Sequence, residues 1–144
     1  MLVKQILASK PINGVETIKP GTTVASAAEM LSTKRIGALV VSEDGDTLAG
    51  ILSERDVVRE LGRRGPACMS ETVDGMMTSR ITTCTEDETA DSVLKKMTDG
   101  RFRHIPVMAG DKMVGLISIG DVVKARMSEL AMERDALEGM VMGH

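Results

Sequence analysis

The apolar positions of this chain form two kinds of run, and the two kinds alternate. Helical spacing puts Val24, Ala27, Ala28 and Leu31 on one face, and later Ala90, Val93, Leu94 and Met97 on another. Thr22 or Thr23, and Glu88 or Thr89, stand where such helices need an N-cap. Each helix is followed by a run apolar enough for a buried strand: Ile36-Gly37-Ala38-Leu39-Val40-Val41, and Phe102 to Met108. Pro106 inside the second run predicts an edge strand or a break in the ladder, because proline has no amide hydrogen to donate. The turns Glu43-Asp44-Gly45-Asp46 and Ala109-Gly110-Asp111 suit hairpins, with returning strands over Thr47–Leu52 and Lys112–Ile117. A further helix is predicted to begin near Asp56 and another near Asp121. Ahead of each set stand a short helix (Val3–Ala8; Val73–Met77), a brief extended piece (Val15–Ile18; Ile81–Cys84) and a turn (Lys19-Pro20-Gly21; Glu86-Asp87-Glu88). The polar, glycine-bearing stretch Gly62–Glu71 connects the halves.

The residues repeat along with the pattern. Thr17 to Arg59 aligns with Thr83 to Lys124 at an offset of 66 positions (Thr17 to Thr83), which becomes 65 after one residue is dropped in the turn (Gly45 to Gly110). Identities include Thr23/Thr89, Arg35/Arg101, Val41/Val107, Gly50/Gly115, Ser53/Ser118 and Asp56/Asp121. Two copies are too few for a solenoid, so the expected fold is α+β, a β-α-β-β-α unit used twice about a pseudo-twofold axis. Such a pair has two equivalent clefts, and function is expected in a duplicated site there. The domains are expected at 1–61 and 73–126, with 62–72 as linker and 127–144 as an extended C-terminal helix and tail. On that helix Val123, Met127, Leu130, Leu137 and Val141 keep a near-heptad spacing that Arg134 interrupts, with Glu129, Glu133 and Glu138 largely off the stripe. The stripe is expected to cover the repeat's own core or a sister subunit rather than to build a long coiled coil, and Gly139 and Gly143 to fray the end.

Composition narrows the chemistry. The 144 residues suffice for one domain-sized core, and 42% hydrophobic with 27% charged residues is the balance of a globular protein. A net charge of −3 argues against a broad nucleic-acid surface. One Phe, with no Trp or Tyr, removes the stacking platforms that single-stranded nucleic acid needs, so a bound purine would sit among aliphatic side chains and some of the 12 Met. Cys68 and Cys84 lack metal-ligand spacing and read as reduced structural thiols of a cytoplasmic protein. The apolar stretch in MLVKQILASKP is too short for export or for spanning a membrane.

Two constellations carry chemistry. Gly50-Ile51-Leu52-Ser53-Glu54-Arg55-Asp56 and Gly115-Leu116-Ile117-Ser118-Ile119-Gly120-Asp121 each run strand, Ser, two residues, Asp, helix. Ser-x-x-Asp before an apolar run is a capping box in its simplest reading. The same groups also suit a nucleotide: helix-start amides and the Ser hydroxyl can receive a phosphate, and the carboxylate can accept from the two hydroxyls of a ribose. The second constellation is the apolar strand, Arg35 to Val41 and Arg101-Phe102-Arg103-His104-Ile105-Pro106-Val107. Part of it is core, but Pro106 could free backbone groups to read a base edge. His104 beside Arg103 is a candidate phosphate or base contact.

Taken together, Arg-His-Ile-Pro-Val, Gly-Ile-Leu-Ser-Glu-Arg-Asp-Val-Val and Gly-Leu-Ile-Ser-Ile-Gly-Asp-Val-Val closely resemble cystathionine-β-synthase (CBS) domains, and the tandem resembles a Bateman module over about Val3 to Lys124. The resemblance implies clefts for adenosine-containing ligands (AMP, ADP, ATP, NAD(H) or S-adenosylmethionine), a regulatory role such as energy sensing, and dimerisation into a flat disc. By position, it implies that Asp56 and Asp121 hold the ribose, with Ser53 and Ser118 near the phosphate. Thr17 with Ile18, and Thr83 with Cys84, match the strand lining the cleft. Arg103, His104, Ile105 and Pro106 match the base-reading segment, with Ile36, Gly37, Ala38 and Leu39 as its counterpart. Arg55 fits a phosphate contact, whereas Gly120 at the matching place cannot, so the two clefts should differ in affinity.

No Ser/His/Asp set, Walker-type loop or metal cluster is visible in the sequence, His144 is terminal, and no carboxylate neighbours His104 along the sequence, so neither catalysis, a catalytic cofactor nor a metal is expected. The expected function is a standalone nucleotide-sensing module, a homodimer with a regulated protein partner and no nucleic-acid or membrane ligand. The alternative is a ligand-free interaction scaffold in which the Ser-x-x-Asp units only cap helices.

Overall fold

The computed structural model describes residues 1–10 and 14–141. The β-α-β-β-α order is complete in the first repeat, in the second an isolated bridge stands in place of the first strand, and the elements follow the apolar runs. In the first repeat, β1 (Thr17–Ile18) lies parallel to β2 (Ala38–Val41), with Thr17 opposite Val40 and Ile18 opposite Val41. Helix α2 (Val24–Lys34) makes the crossover, and Thr23 caps it by accepting from the Ser26 amide. β2 then pairs antiparallel with β3 (Gly50–Ser53), giving the order β1-β2-β3, and α3 (Glu54–Arg64) follows. The second repeat has α4 (Ala90–Gly100), capped by Thr89, then a β4 (His104–Ala109) to β5 (Lys112–Ser118) ladder, and the 23-residue α5 (Ile119–Val141).

Four boundaries differ from the sequence expectation. The strands begin at Ala38 and His104, two residues into their apolar runs, because each preceding helix exits through a left-handed residue. Arg35 (φ 54°) and Arg101 (φ 56°) hold that conformation, and the Ile36 and Phe102 amides reach back to the Leu31 and Met97 carbonyls. The first hairpin is wider than a tight turn: β3 starts at Gly50 rather than Thr47. Asp44 organises the loop, its Oδ1 accepting from the Asp46 and Thr47 amides and the Thr47 hydroxyl, which hold its carboxyl down at about 2. The extended piece Ile81–Cys84 is reduced to a single bridge of Cys84 to Val107. In the first repeat Val40 donates to the Glu16 carbonyl, and Pro106 occupies the matching place, where it has no hydrogen to give.

The compact units do not follow the repeat boundaries expected at 1–61 and 73–126. One unit comprises Met1–Asn13, Thr82–Met108 and Gly115–His144, and the other Gly14–Ile81 and Ala109–Val114. Helix α1 (Val3–Ser9) thus belongs with the second repeat. Its Val3 and Ile6 are buried with Val93, Met97, Ile105 and Ile117, and the Val3 amide donates to the Glu88 carbonyl. Correspondingly the 3₁₀ turn Val73–Gly75 belongs with the first repeat, where Val73 is buried with Val24, Leu39 and Leu52. Nor is the stretch 62–72 a plain linker. Helix α3 extends to Arg64, and the 3₁₀ turn Pro66–Ser70 buries Cys68 in the same core. We call these the α1 unit and the β1 unit.

On α5 only Val122 and Ala125 are buried, whereas Val123, Met127 (66% exposed), Leu130 (52%), Leu137 and Val141 face outward, so the heptad stripe does not cover the repeat's own core. The helix continues through Gly139, while Gly143 and His144 lie outside the described residues.

Because Ile6 fills the α1-unit core, Ile6→Ala should destabilise the protein by about 3 kcal/mol, as cavity-forming core truncations do. Urea unfolding checks this; a loss under about 1 kcal/mol, the scale of surface substitutions, would mean α1 does not pack there.

Candidate functional site

Each unit brings one full copy of the sequence-nominated residues onto three neighbouring segments. In the β1 unit these are β1 (Thr17, Ile18), the approach to β2 (Ile36, Gly37, Ala38) and the β3-to-α3 corner (Ser53, Arg55, Asp56). The Glu54 amide donates to the Gly37 carbonyl (2.9 Å), tying the second segment to the corner. In the α1 unit the counterparts are Thr83 and Cys84, then Arg103 to Pro106, then Ser118 and Asp121. There the Ile119 amide donates to the Arg103 carbonyl (2.8 Å), the matching tie.

Both corners are reciprocal capping boxes. The Ser53 hydroxyl accepts from the Asp56 amide (3.2 Å) while the Ser53 amide donates to Asp56 Oδ2 (2.9 Å). Ser118 and Asp121 do the same at 3.1 and 2.9 Å. A strand thereby turns into a helix with two of its amide donors satisfied by side chains, at a gain of about 1 kcal/mol per cap. The simplest reading of Ser-x-x-Asp therefore holds in both repeats. It leaves each carboxylate with acceptor capacity beyond the cap, since two oxygens offer about four lone-pair sites.

What fills that capacity differs. Asp121 Oδ2 also meets Lys10 Nζ at 2.9 Å, and the same ammonium donates to the Leu116 carbonyl at 2.8 Å. Burial pushes the Asp121 carboxyl up, but the Ser118 amide and Lys10 outweigh it and hold the group below the usual carboxylate range. Asp56 instead receives Arg59, one turn along its own helix, with Nη2 2.9 Å from Oδ1. The sequence reading missed both cations. Arg59 was legible, because residues three apart on a helix are neighbours. Lys10 was not, since it reaches Asp121 across 111 positions only because α1 packs in that unit.

The other nominated residues divide into those that present side chains and those that lend only backbone. Arg55 and Arg103 are exposed; Thr17, Ile18, Ile36, Gly37, Ser53, Thr83, His104 and Ser118 are half-buried. Ala38, Cys84, Ile105 and Pro106 are buried, with Cys84 and Ile105 in the core. The Pro106 carbonyl accepts from the Cys84 amide (3.0 Å) and the Cys84 carbonyl from Met108 (2.8 Å), so these backbone groups are bonded rather than free to read a base. Burial, with Glu88 adding to it against Lys96, pushes the Cys84 thiol up to about 11, which keeps it protonated and structural. The Thr83 carbonyl accepts from Lys96 (3.0 Å).

This duplicated corner, with its strand neighbour, is the pattern that the CBS-domain family model matches at residues 3–63 and 73–128. The chain belongs to the CBS-domain family. Among curated relatives, it is 37% identical over 125 residues to the CBS domain-containing protein CBSX3, mitochondrial, of Arabidopsis thaliana. That match takes in 84% of this chain but 61% of the relative, and the chain spans about a quarter of the Arabidopsis protein CBSCBSPB3. Among solved structures, a CBS-domain containing protein from Agrobacterium tumefaciens superposes with a TM-score of 0.82 at 39% identity, covering 87% of this chain and 92% of that one. The CBS domain pair of protein MJ0100, solved with 5′-methylthioadenosine and S-adenosyl-L-methionine, gives 0.76 at 27% identity, covering 90% and 98%. The chain is thus a CBS pair of mixed helix and strand, and among its described residues no helix is long and apolar enough to cross a membrane.

A carboxyl held low in the fold favours folding fully above its ordinary pKa of about 4, and that contribution fades as pH falls through the depressed value. Asp121→Asn should therefore cost stability at neutral pH, and the gap from wild type should close as pH drops from about 4 toward 2. Urea unfolding across that range checks the sign; a gap that widens in acid would contradict it.

Proposed function

We propose that this CBS pair is a non-catalytic sensor of adenine nucleotides (AMP, ADP, ATP or NAD(H)). The observation carrying this reading is the duplicated corner, in which a helix-start carboxylate with acceptor capacity beyond its cap stands beside a Ser hydroxyl and, in the α1 unit, beside a segment bearing Arg103 and His104. Asp56 and Asp121 would accept from the ribose hydroxyls, and Ser53 and Ser118 would lie near the phosphate. Arg55, exposed and without an ion pair among the described residues, would meet a phosphate in one site, with Arg103 in the other. Thr17, Ile18, Ile36, Gly37, Ala38, Thr83, Cys84, Ile105 and Pro106 would form the walls. The adenosine ligands of the MJ0100 pair support the ligand class. A ligand that prefers one conformation shifts the population toward it, and a regulated protein partner would read that shift.

The same reading makes the chain a homodimer. The outward row of Val123, Met127, Leu130, Leu137 and Val141 repeats at heptad spacing, which a second copy of the same helix complements. Two buried, unpaired thiols, Cys68 and Cys84, suit a reducing compartment, and we place the protein in the cytoplasm. A ligand-free scaffold is the second reading, favoured by the fact that both carboxylates already serve as caps.

Thermal shift against AMP, ADP, ATP and NADH separates the two. Binding to the folded state should raise Tm in a concentration-dependent way, by about 2.7 kcal/mol of stabilisation at a hundredfold excess over Kd. An unmoved Tm throughout the panel would leave the scaffold reading. For the dimer, Leu130→Lys should shift the species in light scattering from dimer to monomer while leaving far-UV circular dichroism unchanged. A wild-type monomer at micromolar concentration would refute it.

A further inference from the structure

A carboxylate that holds a sugar repels a phosphate carried on the same sugar, so a corner built for a nucleotide needs a cation close by. The β1 unit has one inside its capping box, Arg55, whereas the α1 unit has Gly120 at that place. In the α1 unit a cation arrives instead from the leader helix. Lys10 ends α1, and its ammonium is held by two acceptors, the Leu116 carbonyl at 2.8 Å and Asp121 Oδ2 at 2.9 Å. Packing just ahead of it sets this position. Leu7, three residues earlier, lies so close over Gly115 that a Cβ there would come within 2.6 Å of it, which seats the end of α1 on the strand that leads into the corner. The β1 unit is built differently. Ile51, which matches Leu116, accepts from the Thr78 amide (2.9 Å), and Asp56 pairs with Arg59 of its own helix.

We propose that Lys10 is a specificity-determining residue of the α1-unit site, making it select phosphorylated adenosine over adenosine itself. The inference rests on the nucleotide-sensor reading and assigns one of its sites the cation that the capping box lacks. The ammonium offsets the Asp121 charge that a phosphate would meet, and among the described residues two of its three N–H donors are engaged. Its side chain is 28% exposed, while Arg103 is fully on the surface, so the Lys10 charge is the less screened of the two. It is also already ordered by its two acceptors, so a ligand need not immobilise a free lysine on binding.

Titration calorimetry on the full chain with adenosine, AMP and ATP tests it. Lys10→Gln should weaken AMP and ATP about tenfold, the scale of a lost hydrogen bond to a charged group, and leave adenosine within about twofold of wild type. Lys10→Arg should keep the preference for phosphate. Added salt should narrow the gap between AMP and adenosine in wild type more than in Lys10→Gln. In an Asp121→Asn background, Lys10→Gln should change AMP binding no further, which ties the effect to this corner. Circular dichroism melts of each variant separate a lost contact from a loosened α1. Equal weakening of adenosine and AMP would make Lys10 only a fastener for α1, and unchanged AMP affinity in Lys10→Gln would remove its role altogether; either result overturns the proposal and leaves the sensor reading standing. Failure of adenosine, AMP and ATP alike to bind wild type would instead remove the sensor reading and this inference with it.

Discussion

A carboxylate three residues into each closing helix, turned back onto the serine amide before it, fixes where strand ends and helix begins in both repeats. The rest of each unit is built around that corner. The helix start can stand at the end of a short strand because its donors are met by side chains rather than by water or more sheet. Its next free amide, on Glu54 or Ile119, then ties down the segment leading into the neighbouring strand. One polar exchange thus sets the angle between sheet and helix and gathers three segments of the candidate site. The same carboxylate keeps acceptor capacity beyond the cap, since its two oxygens offer about four lone-pair sites.

The sheets themselves are too small to hold a core unaided. Two-residue β1 and the single Cys84 bridge leave apolar faces that a helix from elsewhere in the chain must cover. The leader segments do this. Each adds a main-chain bridge at a helix cap, Leu2 to Thr89 in one unit and Thr72 to Thr23 in the other, and then buries a valine, Val3 or Val73. With sheet area this limited, stability depends on such docking, since helices this short do not persist alone in water.

Much of this was legible in the chain, because the apolar periods and the duplicated Ser-x-x-Asp are local signals. The helices α2 and α4 follow from spacing alone, with Thr23 and Thr89 each one of two cap candidates, and Pro106 marked the place where the pairing with Cys84 shrinks to one bridge. What spacing could not supply was partnership across the chain. Nothing in the stretch around Val3 says which core it fills, so the repeat boundaries and the packing units part company there. The delayed strand starts had a visible signal in the duplicated Arg35 and Arg101, but a left-handed arginine reads as an ordinary helical residue until its φ is known. The widened first hairpin likewise depends on one side chain, Asp44, gathering several donors at once.

Duplication also explains why the two sites could diverge so cheaply in structural terms. The capping box constrains only Ser and Asp, so the positions between and just beyond them carry no share of the corner's stability. It is at those positions that the repeats differ: Glu54-Arg55 against Ile119-Gly120, and Arg59 against Lys124. Arg59 forms an exposed ion pair three residues along a helix, an interaction worth a few tenths of a kcal/mol. The fold therefore holds the two corners alike, while the residues that differ around them contribute little to folding.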